Sequence, residues 1–168
     1  MGILRCTAKY RKAMGLPDGL GEPSAPSSSA LGEWYANTLN IGALRLLQYH
    51  SDRSRLSVVL RLSPRKTAES RFVDSLGDLL RQLGVPPTLV NTELRTLLPF
   101  TYSRARDRSV LSTLRDHARG VKSDLEHGRA HTPWDLSWRL AETPCGPLKG
   151  RSPDRVAPEL LQRAFGHS

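Results

Sequence analysis

The sequence predicts an α+β fold in which a mainly antiparallel sheet has its helices packed on one face. Three runs with strand character lie between residues 32 and 62, and the turns that separate them are too short for a parallel crossover. Later segments repeat apolar residues at helical spacing, each with a single apolar face that needs a common surface to cover. A chain of 168 residues can bury one good core, so we predict a single domain over residues 1–168.

The predicted elements begin with a strand over ILRCT (3–7) and a short helix over AKYRKAM (8–14), which Gly15 and Pro17 end. Residues 16–30, LPDGLGEPSAPSSSA, are rich in glycine, proline and serine and have almost nothing to bury. This composition predicts a flexible surface loop.

The predicted meander occupies residues 33–62. Its three runs are EWYANTLNI, ALRLLQYH and RLSVVLRL, with a turn at Gly42 and another at SDRS (51–54). In the third run Leu56, Val58, Leu60 and Leu62 alternate with polar residues such as Ser57 and Arg61, which predicts a strand with one buried face.

The predicted helices follow the meander. A helix over 64–83 begins with Ser63 as its cap and Pro64 in its first turn, and Gly84 ends it. Further helices are predicted over 87–98, 107–127 and 157–165, with an extended segment over 99–105. For DLSWRLA (135–141), the alternation of Leu136, Trp138 and Leu140 favours a strand, whereas Thr132 and Pro133 equally suit a helix cap.

Charge and composition limit the functional classes. The formal net charge of +9 is spread over both halves and makes nucleic acid or another polyanion a partner to test. Only five of the 25 basic residues are lysine, a bias typical of GC-rich bacterial genomes that weakens any argument from arginine content alone. No apolar run approaches the roughly 20 residues of a membrane span, and the start lacks the apolar core of a signal peptide. We therefore expect a cytoplasmic protein without a membrane partner.

Four segments together resemble a known family. They are LRCTAK (4–9), LGEWYANTL (31–39), DRSVLSTLRD (107–116) and LAETPCGPLKGRSPDR (140–155). The set is similar to that of an uncharacterised bacterial family, a domain of unknown function whose third segment reads NRSVLGSMND. The chain departs from that pattern at Asp107, Thr113 and Arg115, the last of which adds a positive charge. The resemblance implies no reaction, cofactor or catalytic residue.

A basic stripe is the main candidate site. On the helix over 107–127, apolar residues fall on one face and a second stripe runs beside it. With the residues just before the helix, the candidate anion-binding set is Arg104, Arg106, Arg108, Ser109, Ser112, Arg115, Arg119 and Lys122. Phosphates along this stripe would give sequence-independent affinity. The alternative is that these arginines are only the solvated margin of a packed helix.

A surface platform is the second candidate. Trp34, Tyr35 and Asn37 lie on alternating faces of a predicted strand, in a mixture of aromatic and polar side chains that could stack and hydrogen-bond single-stranded nucleic acid. The alternative is a strand that is half core and half sheet surface, with Trp34 or Tyr35 in the core.

Cys145, between Pro144 and Gly146, is the residue best placed for chemistry. A catalytic thiol needs a nearby base, and no spacing ties His117, His127 or His131 to it, so a structural role in a turn is the simpler interpretation. His127 and His131 are separated by Gly128, which breaks the helical spacing of a zinc site. No motif predicts catalytic residues, a metal or a cofactor. An enzyme is unsupported.

Two functional hypotheses remain. The first is a small accessory protein that binds nucleic acid or another polyanion through the basic helix. The second is a non-enzymatic protein–protein interaction module with a genetically linked partner, in which the basic charge is incidental. A contiguous basic surface would favour the first, and an exposed apolar patch or open sheet edge would favour the second.

Overall fold

A computed structural model describes residues 1–166, so the last two residues of the predicted domain lie outside the described part. Within it, five strands form one sheet with the order β4-β3-β2-β1-β5. The elements in chain order are β1 (Ile3–Cys6), α1 (Ala8–Met14), β2 (Trp34–Ile41), β3 (Leu44–Ser51), β4 (Ser57–Arg61), α2 (Ala68–Gln82), α3 (Pro87–Arg95), β5 (Thr101–Arg104), α4 (Arg108–Glu126), α5 (Pro133–Glu142) and α6 (Pro153–Phe165). No helix in residues 1–166 has the length and apolar character needed to cross a membrane.

The α+β class is confirmed, and the sheet is mixed. The meander β2-β3-β4 is antiparallel, with Thr38 opposite Leu47 and Leu47 opposite Leu60. β1 lies between β2 and β5 and is parallel to both. The long connections from β1 to β2 and from β4 to β5 allow these parallel neighbours, which short turns could not.

The helices lie on both faces of the sheet, so the prediction of one covered face is wrong. Phe72 of α2 packs against Trp34 and Tyr49, with ring centroids 4.8 and 4.4 Å away. Val110 and Leu114 of α4 pack against Tyr35 instead. Adjacent strand residues point to opposite faces, so α2 and α4 cover opposite sides. The strands carry apolar residues on both faces of the sheet. Each face therefore needs a layer of helices to cover it.

The segment predicted as a strand over 135–141 is helix α5. Thr132 caps it by accepting a hydrogen bond from the Asp135 backbone N–H, and the Asp135 carboxylate accepts one from the Thr132 backbone N–H. This reciprocal pair strongly favours a helix start. α5 lies along the edge strand β4, where Ser137 Oγ accepts from the backbone N–H of Val59 at 2.8 Å. The alternation of apolar residues arises because Leu136 and Trp138 pack into different clusters.

The other predicted segments hold with shifted boundaries. α2 begins at Ala68 after a 3-10 turn over Arg65–Thr67, so Ser63 does not cap it. Residues 16–30 form no helix or strand, and their flexibility stays a prediction. The end of this loop is anchored, because the buried Glu93 carboxylate accepts hydrogen bonds from Ser29 Oγ and the Ala30 backbone.

Candidate functional site

The predicted basic stripe follows the solvent side of α4. Asp107 caps this helix by accepting from the Val110 backbone at 3.1 Å. Val110, Leu114 and Val121 are buried against the sheet. The opposite side is exposed and carries Arg108, Ser112, Arg115, Arg119 and Lys122.

The cations of the stripe differ in their partners. Arg106 pairs with Glu22 at 3.2 Å and Arg119 with Asp116 at 3.3 Å. Lys122 is 3.9 Å from Glu126. Within residues 1–166, Arg104, Arg108 and Arg115 have no ion-pair partner. Among the described stripe residues, these three arginines are the ones for which no carboxylate of residues 1–166 competes with an external anion.

Ser109 also makes a contact within the protein. Its hydroxyl accepts from Nη2 of Arg55 at 3.4 Å, while Thr113 Oγ1 accepts from Nη1 at 3.3 Å. Ser109 is exposed, and its hydroxyl is shared with the side chain of the buried Arg55.

Arg115 borders a groove that the sequence did not reveal. A cavity of about 270 Å³ lies between α4, β2 and the start of α1, lined by Lys9, Asn37 and Arg115 among others. A larger cavity of about 580 Å³ adjoins it, shares Lys9 and Thr38, and adds Lys12 and Arg45. We call these two cavities together the basic groove.

The fold creates the groove at one edge of the sheet. β1, β2 and β5 run parallel, so their carboxyl ends share this edge, and α1 and α4 both begin there. Thr7 fixes the corner, because its hydroxyl caps α1 by accepting from the Tyr10 backbone and donates to Asn37 Oδ1 at 2.9 Å. Open edges of this kind at the carboxyl ends of strands are common ligand sites.

The charged residues that line the basic groove, among those described, are all positive. Lys9, Lys12, Arg45 and Arg115 are exposed, and none of them has an ion-pair partner in the described part of the chain. Of the described residues, those lining the two cavities include no aspartate or glutamate. A concave surface lined by one sign of charge concentrates the potential and attracts counter-ions.

The predicted surface platform is wrong. Trp34 and Tyr35 are 0% and 3% exposed, because helices cover both faces of β2 and each aromatic side chain fills one of the two cores. Asn37 is the exception, since it lines the groove.

Apart from the two cavities of the basic groove, a second candidate site is a cavity on the other flank of α4, called the second cavity below. It holds about 210 Å³ and brings His117 of α4 together with Cys145 of the turn after α5. Behind it, a buried polar network runs through the sheet. Gln48 Nε2 lies 3.0 Å from His117 Nδ1 and 2.9 Å from Ser57 Oγ, which is in turn 2.8 Å from His50 Nδ1.

Burial determines the protonation states of the titratable groups around this second cavity. It lowers the pKa of His117 to about 4 and holds the pKa of His50 well below its usual range. Burial also raises the pKa of the Cys145 thiol, which the positive charge of Arg55 lowers in part. At neutral pH the cavity therefore presents an uncharged imidazole and an uncharged thiol. The sequence did not indicate that Cys145 lies near His117, because only the packing of α4 against the turn brings both residues to one cavity.

Comparison with protein families places both cavities inside a single family match. The family described as Domain of unknown function (DUF6933) matches residues 3–156. The chain belongs to this family. The match spans all five strands and the first residues of α6, so the groove and the His117 cavity are parts of the family domain. No curated protein and no solved structure gave a significant match.

Proposed function

We propose that the protein binds nucleic acid through the basic groove, by contacts to the phosphate backbone. The observation that carries this proposal is the set of exposed cations from separate elements, α1, β3 and α4, that meet around one groove without carboxylates among its described lining residues. Neutralising phosphates releases counter-ions and supplies affinity that does not depend on sequence.

The groove favours phosphates over bases. Single-strand binders stack bases on exposed aromatic side chains, and Trp34 and Tyr35 are both buried here. Lysine and arginine heads with amide side chains, such as Asn37 and Asn40, suit phosphate and sugar contacts instead.

The stripe on α4 extends this surface. Arg104 and Arg108 lie at the same edge of the sheet and have no ion-pair partner in residues 1–166, so they would add phosphate contacts beyond Arg115. Arg119 and Lys122 already have carboxylate partners, and we expect them to contribute less.

The test is the salt dependence of DNA binding in a groove variant. We expect the parent protein to bind mixed-sequence duplex DNA, measured by fluorescence anisotropy, with an affinity that falls steeply as salt rises. The triple variant Lys9→Gln, Arg45→Gln, Arg115→Gln should flatten the slope of log affinity against log salt by about 0.9 for each phosphate that the variant no longer neutralises.

A matched control removes the same charge elsewhere. Lys149→Gln, Arg155→Gln, Arg163→Gln deletes one lysine and two arginines, all exposed and outside the groove. This variant should keep most of the parent's salt slope. If the two triple variants lose affinity equally, the groove is not the binding surface. If the parent shows no salt-dependent binding, the alternative of a protein-interaction module replaces this proposal.

A further inference from the structure

The cavity between α4 and the turn at 143–147 joins groups that are distant in sequence. Its wall includes His117, Cys145, Thr113 and Gly120, and its apolar part includes Leu140 and Pro147. At about 210 Å³ it is smaller than the roughly 300 to 1,000 Å³ of cavities that hold drug-sized ligands. It therefore suits a small group, or one end of a larger molecule.

A hydrogen bond at Nδ1 fixes the orientation of the His117 ring. The residue is 8% exposed, and its Nδ1 faces the Gln48 amide at 3.0 Å. In the described part of the chain, Nε2 of the same ring has no hydrogen-bond partner, and the ring borders the cavity. A buried imidazole with one nitrogen anchored and the other unpartnered resembles the base of a nucleophile–base pair.

Backbone hydrogen bonds in the turn after α5 fix the backbone of Cys145. Its backbone N–H donates to the Arg151 carbonyl at 3.1 Å, and its carbonyl accepts from the backbones of Leu148 and Gly150, each at 3.1 Å. Pro144 and Pro147, both in the cavity wall, stiffen the same turn. The backbone that carries the thiol is thus fixed beside the cavity.

Several energetically unfavourable features lie near this cavity. His50 Nε2 and Gln48 Oε1 are buried without hydrogen-bond partners in the described residues. Arg55, which donates to Thr113 in the cavity wall, is 8% exposed, has a backbone φ of 62° and has no ion-pair partner in residues 1–166. Unsatisfied buried groups and strained backbone cluster at functional sites.

We propose that Cys145 is a nucleophile for small uncharged acyl esters and that His117 is its general base. Sγ forms a bond to the carbonyl carbon while its proton passes to Nε2 of His117. The carbon–oxygen bond to the leaving alcohol then breaks, and the leaving oxygen takes the proton from Nε2. The products are S-acyl Cys145 and the alcohol, and water later hydrolyses the thioester.

The base role requires a particular tautomer of His117. Nε2 can accept a proton only when Nδ1 carries one, which it then donates to the Gln48 amide oxygen. Turning the Gln48 amide by half a turn brings Oε1 to the positions next to His117 Nδ1 and Ser57 Oγ, and leaves as many buried polar atoms unpaired as before. The network can therefore hold the tautomer that leaves Nε2 free.

The test uses p-nitrophenyl acetate as the acyl donor. The full chain should release p-nitrophenolate in a burst of about one equivalent, and mass spectrometry should find the acetyl group on Cys145. Cys145→Ser should abolish the burst. Cys6→Ser should retain it, because Cys6 is 0% exposed and burial raises its pKa to about 12. A burst that survives Cys145→Ser overturns the proposal.

A pH profile separates base catalysis from simple thiolate attack. The groups whose charge acts on His117 or Cys145 are Arg55 and Asp116. The His50 ring lies beside His117, and Asp124 also lines the cavity. With His117 as base, the acylation rate should stay nearly constant between about pH 5.5 and 7.5 and should be lower in D₂O. In His117→Gln the rate should rise about tenfold per pH unit with the thiolate fraction.

Identical profiles for the parent and His117→Gln would show that His117 is not the base. If His117→Gln does not fold, the solvent isotope effect on the parent alone decides: an unchanged rate in D₂O overturns the base role, and a lower rate supports it. Arg163→Gln should keep the full burst, since Arg163 is exposed on α6 and lies outside this cavity.

Discussion

At the scale of single residues, two neutral histidines lie side by side in the interior. The rings of His50 and His117 have centroids 5.2 Å apart and meet edge to face. Burial lowers the pKa of both, and Arg55 adds to the effect. Protonating either ring would place a positive charge beside a buried guanidinium, so the folded state excludes those protons.

The consequence is a loss of stability in acid. The unfolded chain binds a proton at His117 near pH 6.5, whereas the folded protein does so only near pH 4. The contribution of a neutral His117 is therefore complete above about pH 6.5 and is lost as the pH falls toward 4. Between pH 7.5 and 5 we expect this residue alone to remove about 2 kcal/mol from the free energy of unfolding.

Urea denaturation of the parent and of His117→Gln at both pH values measures this difference. The comparison is needed because Asp52 acts in the opposite direction. Burial raises its pKa to about 6, so its folded form gains protons first and stabilises the fold in mild acid. If the parent and His117→Gln lose equal stability between the two pH values, the folded state does not exclude the His117 proton.

At the scale of elements, α5 shows how local chemistry overrides an apparent strand pattern. The reciprocal hydrogen bonds between Thr132 and Asp135 satisfy backbone donors at the helix start. Thr132→Ala removes one of them, and we expect the free energy of unfolding to fall by about 1 kcal/mol in urea denaturation.

Ser63→Ala is the matched control for that prediction. Ser63 has the sequence signature of a cap before Pro64, but α2 begins at Ala68 and Ser63 is exposed. Its replacement should change stability by less than about 0.5 kcal/mol. Equal losses in Thr132→Ala and Ser63→Ala would mean that the capping pair does not stabilise α5.

At the scale of the whole molecule, one aromatic cluster ties α2 and the segment before β5 to the sheet. Phe72 contacts Trp34, Tyr49 and Phe100, with the last ring centroid 6.0 Å away. Phe72→Ala should lower the free energy of unfolding by about 3 to 5 kcal/mol, since it leaves a cavity at the centre of the larger core.

Circular dichroism and tryptophan fluorescence should report this loss as one coincident transition, as expected for the predicted single domain. Leu98→Ala is the control, because Leu98 is 43% exposed and its truncation should cost far less. Two separate transitions in the parent would contradict the single domain.

Much of the fold could be predicted because its signals are local. The alternation in β4, the short turns of the meander and the apolar face of α4 follow from strand and helix periodicity alone. The exposed stripe through Arg108 and Arg115 was also predictable, since the buried face of an amphipathic helix defines the opposite one. These local signals do not identify the element against which each apolar face packs.

The sequence by itself determined the α+β class, most element positions, the exposure of the stripe on α4 and the family resemblance. The tertiary structure alone decided the parallel placement of β1, the coverage of both sheet faces, and the assembly of the basic groove and of the His117 cavity. Lys9 and Arg115 line one cavity, and His117 and Cys145 another, only because segments distant in sequence pack at one sheet edge or on one face. Such contacts depend on the packing of complete elements, and no spacing along the chain encodes them.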